Sequence, residues 1–175
     1  MSKLKPPVNS GDHMRGDWGS VVILVEYGDF QCPHCGAAYP IVKQIEKKYS
    51  RDLAFVFRQF PLSESHPFAM AAAVASEAAA NQGKFWEMHA LLFEYQSRLN
   101  AATILHHAKT LELDLARFEK DILDPAIFKK VEASFESGIV SGVNGTPSFF
   151  INGKKFNGYY DFNSISEAIA AELPQ

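Results

Sequence analysis

Sulfur is scarce in this 175-residue chain, which carries two cysteines and four methionines. Two cysteines cannot build the disulfide framework of a small secreted scaffold, and a close pair in a reducing compartment is more often catalytic or metal-binding. An excess of one charge is also missing. Seventeen basic and twenty acidic residues leave a net charge of −3, which argues against nucleic acid or an anionic membrane surface as the main partner. No apolar run approaches the roughly 20 residues of a membrane-spanning helix. Residues 1–20 are polar and rich in Gly, Pro and Asp, with no apolar core segment or small-residue cleavage site of a secretory signal. The expected compartment is the cytoplasm as the sequence stands, or the periplasm if a signal has been removed. No internal repeat or low-complexity tract is found.

What is present is a large apolar complement, 47% of the residues with fourteen phenylalanines, enough for one domain with a sizeable core. Residues 1–20 read as an extended arm over the surface. Val21 to Tyr27 is rich in β-branched residues and suits a central strand buried on both faces. Gly28-Asp29 ends it, and a helix opens near Pro33, with Ala37, Ile41, Ile45 and Tyr49 at helical spacing and a kink expected at Pro40. Leu53 to Phe60 reads as a second strand. Helices alone follow, over 67–82, 84–95, 101–110, 114–123 and 125–140. Strand character returns at 147–151, and Asn152-Gly153 marks a hairpin into a short strand at Lys155-Phe156. A last helix, capped by Asn163 or Ser164, runs to about Leu173. The order β-α-β, helical block, β-β-α implies an α/β protein with a thioredoxin fold and an inserted helical domain. Its expected parts are an arm at 1–20, a thioredoxin-like unit at 21–62 and 142–175, and a helical cap at 63–141.

Both cysteines fall in one tetrapeptide, Cys32-Pro33-His34-Cys35, between the first strand and the first helix. A thiolate is the reactive form of cysteine, and a helix N-terminus favours an anion through unpaired N–H groups and the helix dipole. Cys32 occupies that position. His34, when protonated, adds a nearby positive charge, and Pro33 removes a donor and stiffens the turn. Cys35, one turn on, is the expected buried, resolving thiol. Stabilising the thiolate makes the disulfide more oxidising, so the tetrapeptide leans toward an oxidant. Half of a zinc site is the bland alternative, but only Cys32, Cys35 and His34 are local, whereas a structural zinc takes four ligands.

Three separated segments carry a family resemblance. Glu26-Tyr27-Gly28-Asp29-Phe30-Gln31-Cys32-Pro33-His34-Cys35 resembles the active-site segment of the DsbA-like thiol-disulfide oxidoreductases of the thioredoxin superfamily. Gln82-Gly83-Lys84-Phe85-Trp86-Glu87-Met88-His89 is similar to that family's helical insertion. Gly142-Val143-Asn144-Gly145-Thr146-Pro147-Ser148-Phe149-Phe150-Ile151-Asn152-Gly153 resembles its cis-proline loop and hairpin. The resemblance spans about residues 20–172. It implies disulfide exchange with polypeptide thiols or disulfides, no cofactor and a monomer. The regenerating partner would be glutathione, a thioredoxin system or a membrane oxidase. It also implies that Pro147 is cis and faces the disulfide, with Thr146 presenting its backbone to bound peptide. Glu26, six residues before Cys32, matches the family's buried acid and is expected to move the Cys35 proton through a water.

Two other functions compete. One is a glutathione-dependent small-molecule enzyme of the same superfamily; the other is a peptide-binding module with incidental cysteines. Among remaining residues, Arg58 is a candidate partner for Glu26, and His66 a turn residue that could line a groove. His89 is expected to be packed or paired in its helix, and His106 and His107 to lie at the surface. Phe30 and Phe149 are candidates to edge an apolar groove near the disulfide.

Overall fold

The computed structural model describes residues 2–174; Met1 and Gln175, the outer ends of the expected arm and thioredoxin-like unit, lie outside the described residues. In chain order the elements are β1 (His13–Arg15), β2 (Val22–Gly28), α1 (Pro33–Lys48), β3 (Leu53–Gln59), α2 (Ala69–Ala80) and α3 (Phe85–Glu94). A 3-10 turn at Gln96–Arg98 follows, then α4 (Ala101–Thr110), α5 (Leu115–Asp121), α6 (Pro125–Val140), β4 (Ser148–Ile151), β5 (Lys154–Lys155) and α7 (Phe162–Ala170). The strands form one sheet in the order β1-β3-β2-β4-β5. β2 and β3 run parallel, joined through α1, and the other neighbours are antiparallel. Helices α2–α6 all come between β3 and β4 in the chain.

Alternation along the central strands divides the core. Val22, Leu24, Phe55 and Phe57 face a larger cluster that takes in Ala38, Val42 and Ile45 of α1 and Ile165 and Ile169 of α7. Val25, Tyr27 and Val56 face the other way, into a smaller cluster with Leu4, Phe60, Val143 and Phe150. Both faces of β2 and β3 are therefore covered, which explains their nearly unbroken apolar sequences.

The N-terminal segment does more than lie over the surface. Its residues His13–Arg15 pair with Phe55–Phe57 as an edge strand, Lys3 bridges to Lys154 at the opposite edge, and Leu4 is buried beneath the sheet. The pattern His-Met-Arg gives no strand signal by itself; the exposed edge of β3 supplies the pairing. Some boundaries also move. The helix expected from Pro67 begins at Ala69, and α1 runs unbroken through Pro40. Helix α7 is capped by Asp161, whose side chain accepts from the Ser164 N–H, rather than by Asn163 or Ser164.

Candidate active site: a cysteine pair over a buried carboxylate

β2 ends at Gly28, and the chain turns through Asp29–Gln31 so that Cys32 becomes the N-cap of α1, with Pro33 as its first residue. Proline suits that position because its missing N–H has no intrahelical partner there. Cys32 and Cys35 are both free thiols, 4% and 0% exposed. The Cys32 thiol donates to the Thr146 carbonyl at 3.5 Å, and the Thr146–Pro147 peptide bond is cis.

The environments of the two sulfurs drive them apart. The Cys35 thiol, donating to the Cys32 sulfur, is the largest influence in lowering the Cys32 pKa to about 5. Burial opposes this as the second-largest effect, and the approach of Thr146 and the main-chain N–H groups of Cys35 and His34 each lower the pKa further by less. The Thr146 hydroxyl is buried with no hydrogen-bond partner, which leaves it able to donate to a Cys32 thiolate. Burial raises Cys35 well above its ordinary value, and its hydrogen bond to Cys32 adds to this. One sulfur is thus a ready nucleophile and the other keeps its proton.

Glu26 lies on the face of β2 that looks toward α1, 2% exposed. Burial, followed by repulsion from Cys32 and Glu46, raises its pKa to about 8. Its Oε1 has no hydrogen-bond partner, and a Cβ on Gly28 would sit 3.1 Å from that oxygen. The expected Arg58–Glu26 pair does not form. In the parallel register Arg58 stands opposite Tyr27, and its guanidinium donates instead to Asp12 at 2.8 and 2.9 Å and to the Tyr27 hydroxyl at 3.0 Å. The one-residue offset puts it on the other face of the sheet.

Asp29 was visible in the sequence only as the end of a strand. It is 1% exposed and its carboxylate meets three segments: the N–H of Gln31 at 2.7 Å, the N–H of Leu62 at 2.9 Å and His66 Nδ1 at 2.7 Å. Its own N–H donates to Cys35 Sγ at 3.4 Å. Gln96 closes the turn from above, donating from Nε2 to the carbonyls of Phe30 and Cys32 at 2.8 and 2.9 Å. His34 is exposed, with its Nδ1 2.7 Å from the Tyr160 hydroxyl.

Several expected groove and surface residues turn out to be core. Phe30 and Phe149 are 1% and 2% exposed, and Phe30 packs on Phe57 and Phe93. His89 is packed, not paired, among Phe30, Phe57, Phe85, Trp86 and Phe93, and burial pushes its pKa well below the histidine range. His107 is buried against Tyr95 rather than at the surface, while His106 is exposed.

A sheet with parallel β2 and β3, a cysteine pair opening the intervening helix and a Thr-Pro loop beside it define a thioredoxin-fold protein. The fold is shared with BdbD of Bacillus subtilis (TM-score 0.85, 24% identity, 98% of this chain and 96% of that one). It is also shared with alpha-DsbA1 of Wolbachia pipientis (0.83, 22%, 94% and 92%) and the catalytic domain of ScsC of Proteus mirabilis (0.80, 20%, 97% and 92%). A family model described as Thioredoxin matches residues 8–171, and the chain belongs to that family. Curated relatives include Na(+)/H(+) antiporter NhaA 1 of Salinispora arenicola, 41% identical over 91% of this chain, and NhaA 1 of Mycobacterium sp. (strain KMS), 37% identical over 98%. The chain spans only 24% and 28% of their lengths. No helix among the described residues is long and apolar enough to cross a membrane.

Proposed function

We propose that the chain is a thiol-disulfide oxidoreductase acting on polypeptide substrates through Cys32 and Cys35. The observation that carries this reading is the opposed tuning of the two sulfurs, with Cys32 near 5 and Cys35 far above the ordinary thiol range. In the oxidising direction a substrate thiolate attacks Cys32 Sγ of the Cys32–Cys35 disulfide. The sulfur–sulfur bond breaks, and its electron pair leaves on Cys35, which takes a proton. A second substrate thiolate then attacks the mixed disulfide at the substrate sulfur and expels the Cys32 thiolate. Two electrons pass from the substrate dithiol to the protein, and the substrate leaves as a disulfide. The low-lying Cys32 thiolate is the better leaving group, which favours this direction.

Glu26, held protonated beneath the pair up to about pH 8, serves as the proton store for Cys35. The Thr146 backbone receives the substrate chain beside Pro147, and His34 and Pro33 shape the turn. The helical residues 63–141 act as a cap over the unit formed by 21–62 and 142–175. The protein works as a monomer and is regenerated by a small-molecule or protein thiol-disulfide couple. A site poised as an oxidant suits an oxidising compartment such as the periplasm better than the cytoplasm.

The test is the equilibrium of the Cys32–Cys35 pair against graded glutathione, read by alkylation and mass, with turnover of a peptide dithiol. Cys32→Ser should abolish turnover; retention of full activity would falsify the reading.

The curated relatives favour a second reading. A chain matching about a quarter of proteins described as Na(+)/H(+) antiporters could serve as a redox module for such a transporter. Vesicles holding both proteins should then show cation exchange that differs between the wild type and Cys32→Ser.

A further inference from the structure

The imidazole of His34 sits next to the reactive sulfur in sequence but is engaged elsewhere. Its Nδ1 lies 2.7 Å from the Tyr160 hydroxyl, with the two rings edge to face at 6.2 Å between centroids. The strongest influences favouring the Cys32 thiolate are the Cys35 thiol, Thr146 and the main-chain N–H groups of Cys35 and His34, ahead of any from the imidazole. Of the two partners, Tyr160 is the fixed one. Its ring is half-buried against the main core together with Phe156 and Phe162. The next residue, Asp161, is the N-cap of α7, held by the Ser164 N–H at 2.9 Å and the Ser164 hydroxyl at 2.7 Å. His34 is exposed, with only its hydrogen bond to Tyr160 setting its direction among the described residues.

We propose that Tyr160 is a positioning residue that holds the His34 imidazole away from Cys32 and thereby limits how oxidising the Cys32–Cys35 pair becomes. The proposal rests on the thiol-disulfide reading above and deepens it. A tyrosine hydroxyl can donate to a neutral imidazole or accept from a protonated one, so the tether holds in either state of His34. Released, the imidazole can reach the sulfur as an N–H donor or as a cation, and either role favours the thiolate over the thiol. Because thiolate stabilisation and oxidising power rise together, loss of the tether should move both in the same direction. The Tyr160 hydroxyl thus acts on the sulfur only through His34, and its effect must disappear when His34 is gone.

The experiment is a double-mutant cycle of wild type, Tyr160→Phe, His34→Ala and the double variant. Tyr160→Phe keeps the ring that packs against the core. The Cys32 thiolate is titrated by its ultraviolet absorbance in reduced protein, and the glutathione equilibrium of the pair is measured alongside. At a solvated site the expected change for Tyr160→Phe is about threefold to tenfold, with a lower Cys32 pKa and a more oxidising pair. In the His34→Ala background the same substitution should change neither quantity. An unchanged pair, a shift toward the reducing side, or an equal shift without His34 overturns the proposal. Should the pair fail to exchange with glutathione, the function reading fails, but the thiolate titration still decides the role of Tyr160.

Discussion

Glu26→Gln isolates the carboxyl buried under the cysteine pair. In the folded, reduced protein this group titrates near 8, against an ordinary value of 4.5, chiefly because it is fully buried. The folded value is raised, so Glu26 leaves stability intact below pH 4.5 and withdraws it progressively as the pH climbs through about 8. At pH 7 the fold must keep a proton that the unfolded chain releases, which costs ~3 kcal/mol, and above pH 8 the loss levels off at ~5 kcal/mol. Glutamine keeps the shape and removes the titration. Its amide is still a buried polar group without assured partners, a penalty of ~1–3 kcal/mol that does not vary with pH.

The quantity to measure is the difference in unfolding free energy between Glu26→Gln and wild type, from urea titrations of reduced protein across pH 4.5 to 8. It should move in favour of the variant by ~1.4 kcal/mol per pH unit in the middle of that range. The second cause of the raised pKa is the Cys32 charge, which the disulfide form lacks. The oxidised proteins should therefore show the same trend over a shorter span, levelling off at lower pH. A difference flat to within ~1 kcal/mol over the whole range would refute the assignment of a neutral, buried Glu26.

Other perturbations bear on different parts of the molecule. In reduced protein the stability that Cys32 contributes relative to Cys32→Ser should be complete above pH 9 and disappear as the pH falls through about 5; chemical denaturation at both ends of that window checks it. Glu77 is 3% exposed and is met by His13 at 2.9 Å, Lys130 at 2.6 Å and Gln59 at 3.1 Å. Glu77→Gln should cost ~3 kcal/mol and speed proteolysis in the N-terminal segment that His13 anchors; an unchanged urea midpoint would contradict it. Gly138 lies in α6, where a Cβ would fall 2.6 Å from Phe60 and 3.1 Å from Tyr27. Gly138→Ala should therefore lower stability by ~1–3 kcal/mol despite alanine's better helix propensity, and a gain in melting temperature would show that the rings yield.

The chain order of the elements from β2 onward and the helix between β2 and β3 were legible because their signals are local. An apolar β-branched run, a Gly-Asp turn and Pro33 at a helix start each carry a reason within a few residues. The N-terminal segment was not legible. Its short strand exists because β3 offers an unpaired edge, and its hold on the body comes from Arg58–Asp12 and His13–Glu77, pairs separated by more than forty residues in sequence. Arg58 was misplaced for a related reason. Strand alternation fixes which face a residue takes only once register is known, and the register sets Arg58 beside Tyr27 rather than Glu26.

Within the candidate site, the cysteine pair was readable and the groups that hold it were not. A cysteine pair at a helix start points to sulfur chemistry through its spacing, and two further separated segments narrow the reading. Asp29 declares nothing, since an aspartate after a strand is usually a turn residue with an exposed side chain. Here that carboxylate is enclosed, and a buried charge must be hydrogen-bonded on every side to be tolerated. Its partners are the N–H of Gln31 before the cysteines and, at the start of the helical region, the Leu62 N–H and His66. Tying these together fixes the peptide whose N–H points at Cys35. Gln96 does the corresponding work on the outer side through the carbonyls of Phe30 and Cys32. The helical region between β3 and β4 thus contributes to the site through two polar clamps rather than through a reacting group. Clamps of this kind join segments 33 to 66 residues apart in the chain, and no local pattern of residue types records them.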